Sequence, residues 1–291
     1  MNYNDYGALV KYMPELEQLI DFSEKAVEIY VKAIEQNPQF ALSEHTGIFN
    51  LLFYQSKSTS YSIRLLNTWG QPVEALALLR IRLEQSIISS YLLYEQFEEG
   101  LGAYIKFYSE LERAAADRLR EELKANSILM DKAPELYKIF EDKLNEYDTN
   151  KKDYENKEGN NKRSWYKGNI YQLAVKRDNL APKDNLIGHI SFEKLHQAIY
   201  QSANSMVHGD IAAISNNYVD LSKDGTLMPQ IFNIYNTQMQ CTHLDIIQTY
   251  ELLNYYCIDR NAELEELYKQ FSKFVAVQFG IDVENISNSS L

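Results

Sequence analysis

Turn-forming residues are scarce in this 291-residue chain, which holds 11 glycines and 6 prolines. That is about half the share of an ordinary globular protein. Sheet sandwiches need such residues every few positions, so an all-β fold is excluded at the outset. Cysteine is as rare: Cys241 and Cys257 stand sixteen apart, which is neither a disulfide framework nor a zinc-ligand pattern. That spacing suits a reducing compartment, and a cytoplasmic location is the expectation. Long apolar runs are missing too. The most apolar stretch, Val73 to Leu93, is interrupted by Glu74, Arg80, Arg82, Glu84 and Gln85, so no membrane span is expected. The start of the chain lacks the basic and then apolar segments of a secretory signal. No GxxxxGK[ST] and no GxGxxG is found, so no cofactor is expected. HExxH and GxSxG are absent as well, which argues against zinc-protease and serine-hydrolase chemistry.

What is present is helical periodicity and ample apolar content, 45% of residues. The spacing predicts helices from Pro14 to about Gln36, from Ser43 as N-cap to Trp69–Gly70, and from Pro72 to about Gln96. Others are expected at roughly Phe97–Lys124, Pro134–Tyr147, Ile170–Arg177, Ser191–His208, Phe232–Cys257 and Ala262–Phe279. The fold class is therefore all-α: one domain, 1–291, of eight or nine helices. Its parts are an N-terminal helical pair (1–70), a core (72–210) carrying a polar excursion at 148–163, and closing helices over 230–279. After Gly209 the chain turns irregular, and its DGT suits a small hairpin.

Two polar constellations stand out. Arg80 and Glu84, four apart, fall beside the stripe Leu76, Leu79, Leu83, Ile87 and Tyr91. Charges placed there must find partners. They form either a structural ion pair or an anion site in which Glu84 orients Arg80. Arg82 is read as a surface residue. The second constellation is YQSANSMVHGD, in which Tyr200, Asn204 and His208 share a helix face, with Ser202 and Ser205 beside it. His208 there is either a general acid/base or a cation complementing the helix C-terminus. Glu193 and His196, three apart, make half of a two-metal motif whose other half is missing, so no metal is expected.

The net charge of −12 is uneven. Ten Lys/Arg against six acids give +4 between Lys143 and Lys183, leaving −16 elsewhere. Trp165 and several tyrosines lie in this basic stretch. Basic residues interleaved with aromatics suit single-stranded nucleic acid, although a solvated mixed-charge loop reads the same way.

Taken together, ALALLRIRLEQSIISSYLLYE, RSWYKGNIYQLA and HQAIYQSANSMVHGD resemble a bacterial family of all-helical domains of unknown function. That family pairs an Arg-x-x-x-Glu helix with a later Tyr-x-Ser-x(n)-His segment. It is in turn similar to HEPN-type domains, many of which are dimeric, metal-independent ribonucleases of toxin and phage-defence systems. HEPN-type domains carry Arg four to six residues before the His. Here positions 201–204 are Gln, Ser, Ala and Asn. The resemblance then implies a homodimeric RNase-like effector with His208, Arg80 and Glu84 as catalytic residues. Tyr200, Asn204, Ser205, Ser202 and Trp165 would contact RNA. The alternative is a non-catalytic helical module for a partner protein or small ligand, its Arg80, Glu84 and His208 forming a polar network.

Overall fold

The computed structural model describes residues 13–42, 44–107, 165–166, 168–182, 190–207, 218–220, 227–229 and 231–280, with isolated positions from 121 to 145. It is an all-α bundle with one small two-stranded hairpin. Helices α1 (Pro14–Gln36), α2 (Gln39–Leu42), α3 (Glu44–Thr68) and α4 (Pro72–Tyr94) lead. They are followed by α5 (Ile170–Leu180) and α6 (Phe192–Val207). Strands β1 (Tyr218–Asp220) and β2 (Leu227–Pro229) pair antiparallel with Val219 opposite Met228, and α7 (Ile231–Tyr255) and α8 (Asn261–Phe279) close the order. The hairpin stands where the DGT sequence suggested one, while the turn itself and Ser43 lie outside the described residues. Short α2 was not anticipated.

The breaks follow local chemistry. Pro14 and Pro72 open α1 and α4, where a missing N–H costs nothing. Gly70, at φ 68°, takes the left-handed turn that ends α3, and the Gln71 N–H closes it on the Leu66 carbonyl at 2.8 Å. Gly280 does the same after α8, at φ 67°.

Two compact units emerge: residues 1–94 with 170–291, and residues 95–169. In the second, residues 101–107 are helical, and Trp165 packs edge-on against Tyr104 and Tyr166 at 5.4 and 5.1 Å. The 148–163 excursion lies outside the described residues.

The first unit is built around α7, which packs on α1, α3, α4 and α8. Every residue from Thr237 to Leu253 is buried. Helices buried all round are normally apolar. This one carries Gln238, Thr242, His243, Asp245, Gln248 and Glu251 inside, most of them with partners on other helices. Thr242, for instance, donates to the Leu19 carbonyl of α1 at 2.9 Å. Leu79, Leu83 and Ile87 of α4 and Phe49 and Ile63 of α3 complete the apolar packing.

His243 sits under Tyr268 and Phe271 of α8, its Nε2 3.4 Å from the Tyr268 hydroxyl. Burial pushes its imidazole down from 6.5 to about 4. The unfolded chain therefore takes up this proton below pH 6.5 and the folded chain only below about 4. The contribution to stability is whole above pH 6.5 and is lost as pH falls through that window, at about 1.4 kcal/mol per pH unit. Urea melts of wild type and His243→Gln across the window should diverge with that slope. Parallel curves would show that the imidazole does not stay neutral.

Candidate functional site

Helix α6 is aimed by the end of α5. Asp178 accepts the backbone N–H groups of Phe192 and Glu193 at 3.0 and 2.9 Å and the Ser191 hydroxyl at 2.8 Å. A carboxylate placed there satisfies orphan donors and favours the helix dipole. Phe192 is buried beneath the Arg177 guanidinium, 4.4 Å away. These contacts fix the face that α6 turns toward α4.

On that face the sequence-predicted Arg80, Glu84 and Tyr200 come together. Arg80 Nε donates to Glu84 Oε1 at 3.2 Å, and Nη2 donates to the Tyr200 hydroxyl at 2.5 Å. The guanidinium also lies 4.1 Å from the centre of the Tyr200 ring. Arg80 and Glu84 are both partly exposed. A guanidinium gripped by a carboxylate and a phenol is oriented to receive an oxyanion.

Two further residues join this cluster. The His196 ring stacks on Tyr200 with centroids 4.4 Å apart and planes within 18°. Tyr171 of α5 lies 5.6 Å from the same imidazole and donates to Glu193 Oε1 at 2.5 Å. His196 is 9% exposed, and its Nε2 has no hydrogen-bond partner among the described residues. Burial first, and then the Arg80 charge, hold this histidine below its ordinary pKa. The Tyr171 hydroxyl is held above its ordinary value, first by its bond to Glu193 and then by burial. In sequence, His196 suggested only half a metal motif. In the fold, Glu193 is engaged by Tyr171 and His196 by Tyr200.

Ser202, Asn204 and Ser205 lie on α6, six to nine residues beyond His196, but their side chains are outside the described set. His208 lies outside the described residues altogether. Trp165 belongs to the other unit, with Tyr104 and Tyr166 as its ring partners.

The structure corrects two sequence readings. Arg82, expected at the surface, is 1% exposed and bonds Asp245 of α7 at 2.9 Å, Gln248 at 2.8 Å, Ser60 at 2.9 Å, and Ser86. The small polar residues in the middle of α3 supply Ser60 to this group and Ser56 to Gln248. Arg177, counted with the basic stretch, is equally buried. It pairs with Glu251, Ser90 at 2.6 Å, Asp178 at 3.1 Å and the Ile190 carbonyl at 3.1 Å. It therefore presents no charge to a nucleic acid.

A groove of about 500 Å³ opens beside α1 and α3. Val27, Val31 and Tyr61 wall it, and Ser23, Ser60 and Asp245 reach into it. Rim charges pair across and along it, Arg64 with Glu24 and Lys32 with Glu28. No described helix is long and apolar enough to cross a membrane. Both cysteines are free, Cys241 buried and Cys257 exposed.

Among known proteins, residues 46–226 match the profile of a family of unknown function, DUF5677. No curated protein and no solved structure matches the chain.

Proposed function

The chain belongs to the DUF5677 family of unknown function, and from that premise we propose that it is a HEPN-like helical effector of a bacterial phage-defence or toxin system that cleaves RNA without a metal. The observation that supports this most is the posture of Arg80. It is partly exposed, oriented by Glu84 and Tyr200, and next to a histidine-bearing helix. Phosphodiester cleavage places extra negative charge on the phosphate oxygens in the transition state. A pre-oriented guanidinium stabilises that charge without reorganising. His208, on the sequence reading, exchanges the proton of the ribose hydroxyl or of the leaving oxygen. Tyr200, Asn204, Ser205 and Ser202 position the substrate, Trp165 contacts RNA, and the basic stretch steers RNA toward an otherwise acidic protein. The effector acts in the cytoplasm as a homodimer.

Expression of wild type should arrest growth and fragment cellular RNA. Arg80→Ala should lower cleavage about 10²- to 10³-fold while shifting stability by about 1 kcal/mol or less, since the pair is partly solvated. His208→Ala should act likewise.

One observation favours a second reading, a non-catalytic module for a partner protein. Leu51, Tyr54, Tyr61 and Leu65 on α3, and Trp69 just after it, are all exposed. Their spacings of three, seven, four and four residues trace one side of a helix. If Arg80→Ala and His208→Ala remain as toxic as wild type, with RNA intact in every case, this second reading stands instead.

A further inference from the structure

Resting on the reading of Arg80 as a phosphate-binding group, we propose that His196 is a second ligand-contacting residue of that site, its unpartnered Nε2 meeting an oxygen of the phosphodiester that Arg80 holds. Three observations carry this. First, Arg80, Tyr200 and His196 form one assembly, with the guanidinium 4.1 Å from the Tyr200 ring centre and the imidazole stacked on that ring at 4.4 Å. Second, the imidazole nitrogen nearest to being a wasted polar atom is Nε2: it is buried and makes no hydrogen bond among the described residues. Leaving such an atom unsatisfied costs about 1–3 kcal/mol, and such an exception calls for a ligand, an ion or a water. Third, the neighbours of His196 are used up by one another. Tyr171 of α5 donates to Glu193 of α6, and Glu84 of α4 takes the Arg80 Nε. Among the described residues no carboxylate competes for the imidazole.

Among the described residues, the titratable and charged groups around His196 are Arg80 and Glu84 on α4, Tyr171 on α5, and Glu193 and Tyr200 on its own helix. Burial and then the Arg80 charge lower the pKa of the imidazole from 6.5, which favours its neutral form at pH 7. An anion on Arg80 cancels the repulsion that opposes protonation. Binding a phosphodiester therefore draws a proton onto His196, and the new N–H donates to the ligand. By linkage the converse holds: protonated His196 tightens the anion. A charge-assisted hydrogen bond of this kind changes affinity about tenfold.

Dimethyl phosphate is the appropriate probe, because its single charge does not titrate in this range. The His196 ring-carbon resonance, followed by NMR against pH with and without the probe, should show its midpoint moving up when the probe is present. Probe affinity should fall about tenfold as pH rises through that midpoint. In Arg80→Gln the midpoint should lie higher without probe and ignore the probe. In His196→Asn, affinity should be weak and independent of pH, and circular dichroism checks that both variants fold. If the probe perturbs the Arg80 Nε resonance while His196 keeps its midpoint, the role given to His196 is wrong and the Arg80 reading survives. If neither residue responds to the probe at saturating concentration, both fall.

Discussion

Asp245→Ala should destabilise the chain by about 3–5 kcal/mol, as a shift of the urea midpoint at pH 7 with little change in slope. The reason lies in what the substitution leaves behind. Asp245 is 3% exposed, and its two oxygens accept from Arg82, from Ser60 at 2.7 Å and from Ser23 at 2.6 Å. Without the carboxylate, a guanidinium on α4 remains buried and uncompensated, and two hydroxyls on α3 and α1 lose their acceptor. The pair is not thereby a strong source of stability. Taking both ions out of water costs nearly what their attraction returns. Arg82→Met with Asp245→Leu, which removes both charges and keeps apolar volume, should therefore recover most of the loss. A double variant as unstable as Asp245→Ala would show that the hydrogen bonds to Ser23, Ser60 and Gln248, rather than the charges, carry the effect.

Glu251→Ala should cost a similar amount, about 3–5 kcal/mol. Glu251 lies on α7, six residues after Asp245, and pairs with Arg177 of α5 and with Ser90 of α4 at 2.7 Å. Arg177 is also the residue that packs over Phe192 and bonds Asp178. Losing Glu251 thus loosens the seat of α6 as well as the core. Any activity at the Arg80 cluster should fall in this variant although Glu251 touches none of its residues. The measurement is the same urea series, paired with the dimethyl phosphate titration on folded protein. The two acids share no hydrogen-bond partner in the described structure, so their effects on stability should add within about 0.5 kcal/mol. A larger coupling would mean that α7 shifts as a whole when either ion is lost.

Helix ends were legible in the sequence because they are written in single residues: Pro14 and Pro72 at two starts, Gly70 and Gly280 at two stops. Arg80 and Glu84 were legible as a pair because their four-residue spacing is local. The identity of the buried charges was not. Assigning one inward stripe to α4 placed Arg80 inside and Arg82 outside. Yet α4 packs on α3, α5, α6 and α7, and a helix with four neighbours has more than one inner face. Polar residues disguised α7 in the same way. Nothing in Asp245, Gln248 or Glu251 announces burial until Arg82 and Arg177, far away in the chain, arrive to meet them. His196 escaped because its value lies in what it lacks, a partner for Nε2, which only packing against Tyr200 and Tyr171 reveals.

That α7 follows α1 to α6 in the chain bears on how the protein is made. Helices α1 to α6 leave the ribosome before Ile231, the first residue of α7. Until then Arg82 lacks Asp245, Arg177 lacks Glu251 and α1 lacks α7, so the nascent chain cannot complete its core. The family-matched segment, 46–226, stops short of α7 as well. Expressed alone, it retains both buried arginines while missing both acids. It should therefore be recovered as aggregate, whereas a fragment extended through Tyr255 regains the two partners.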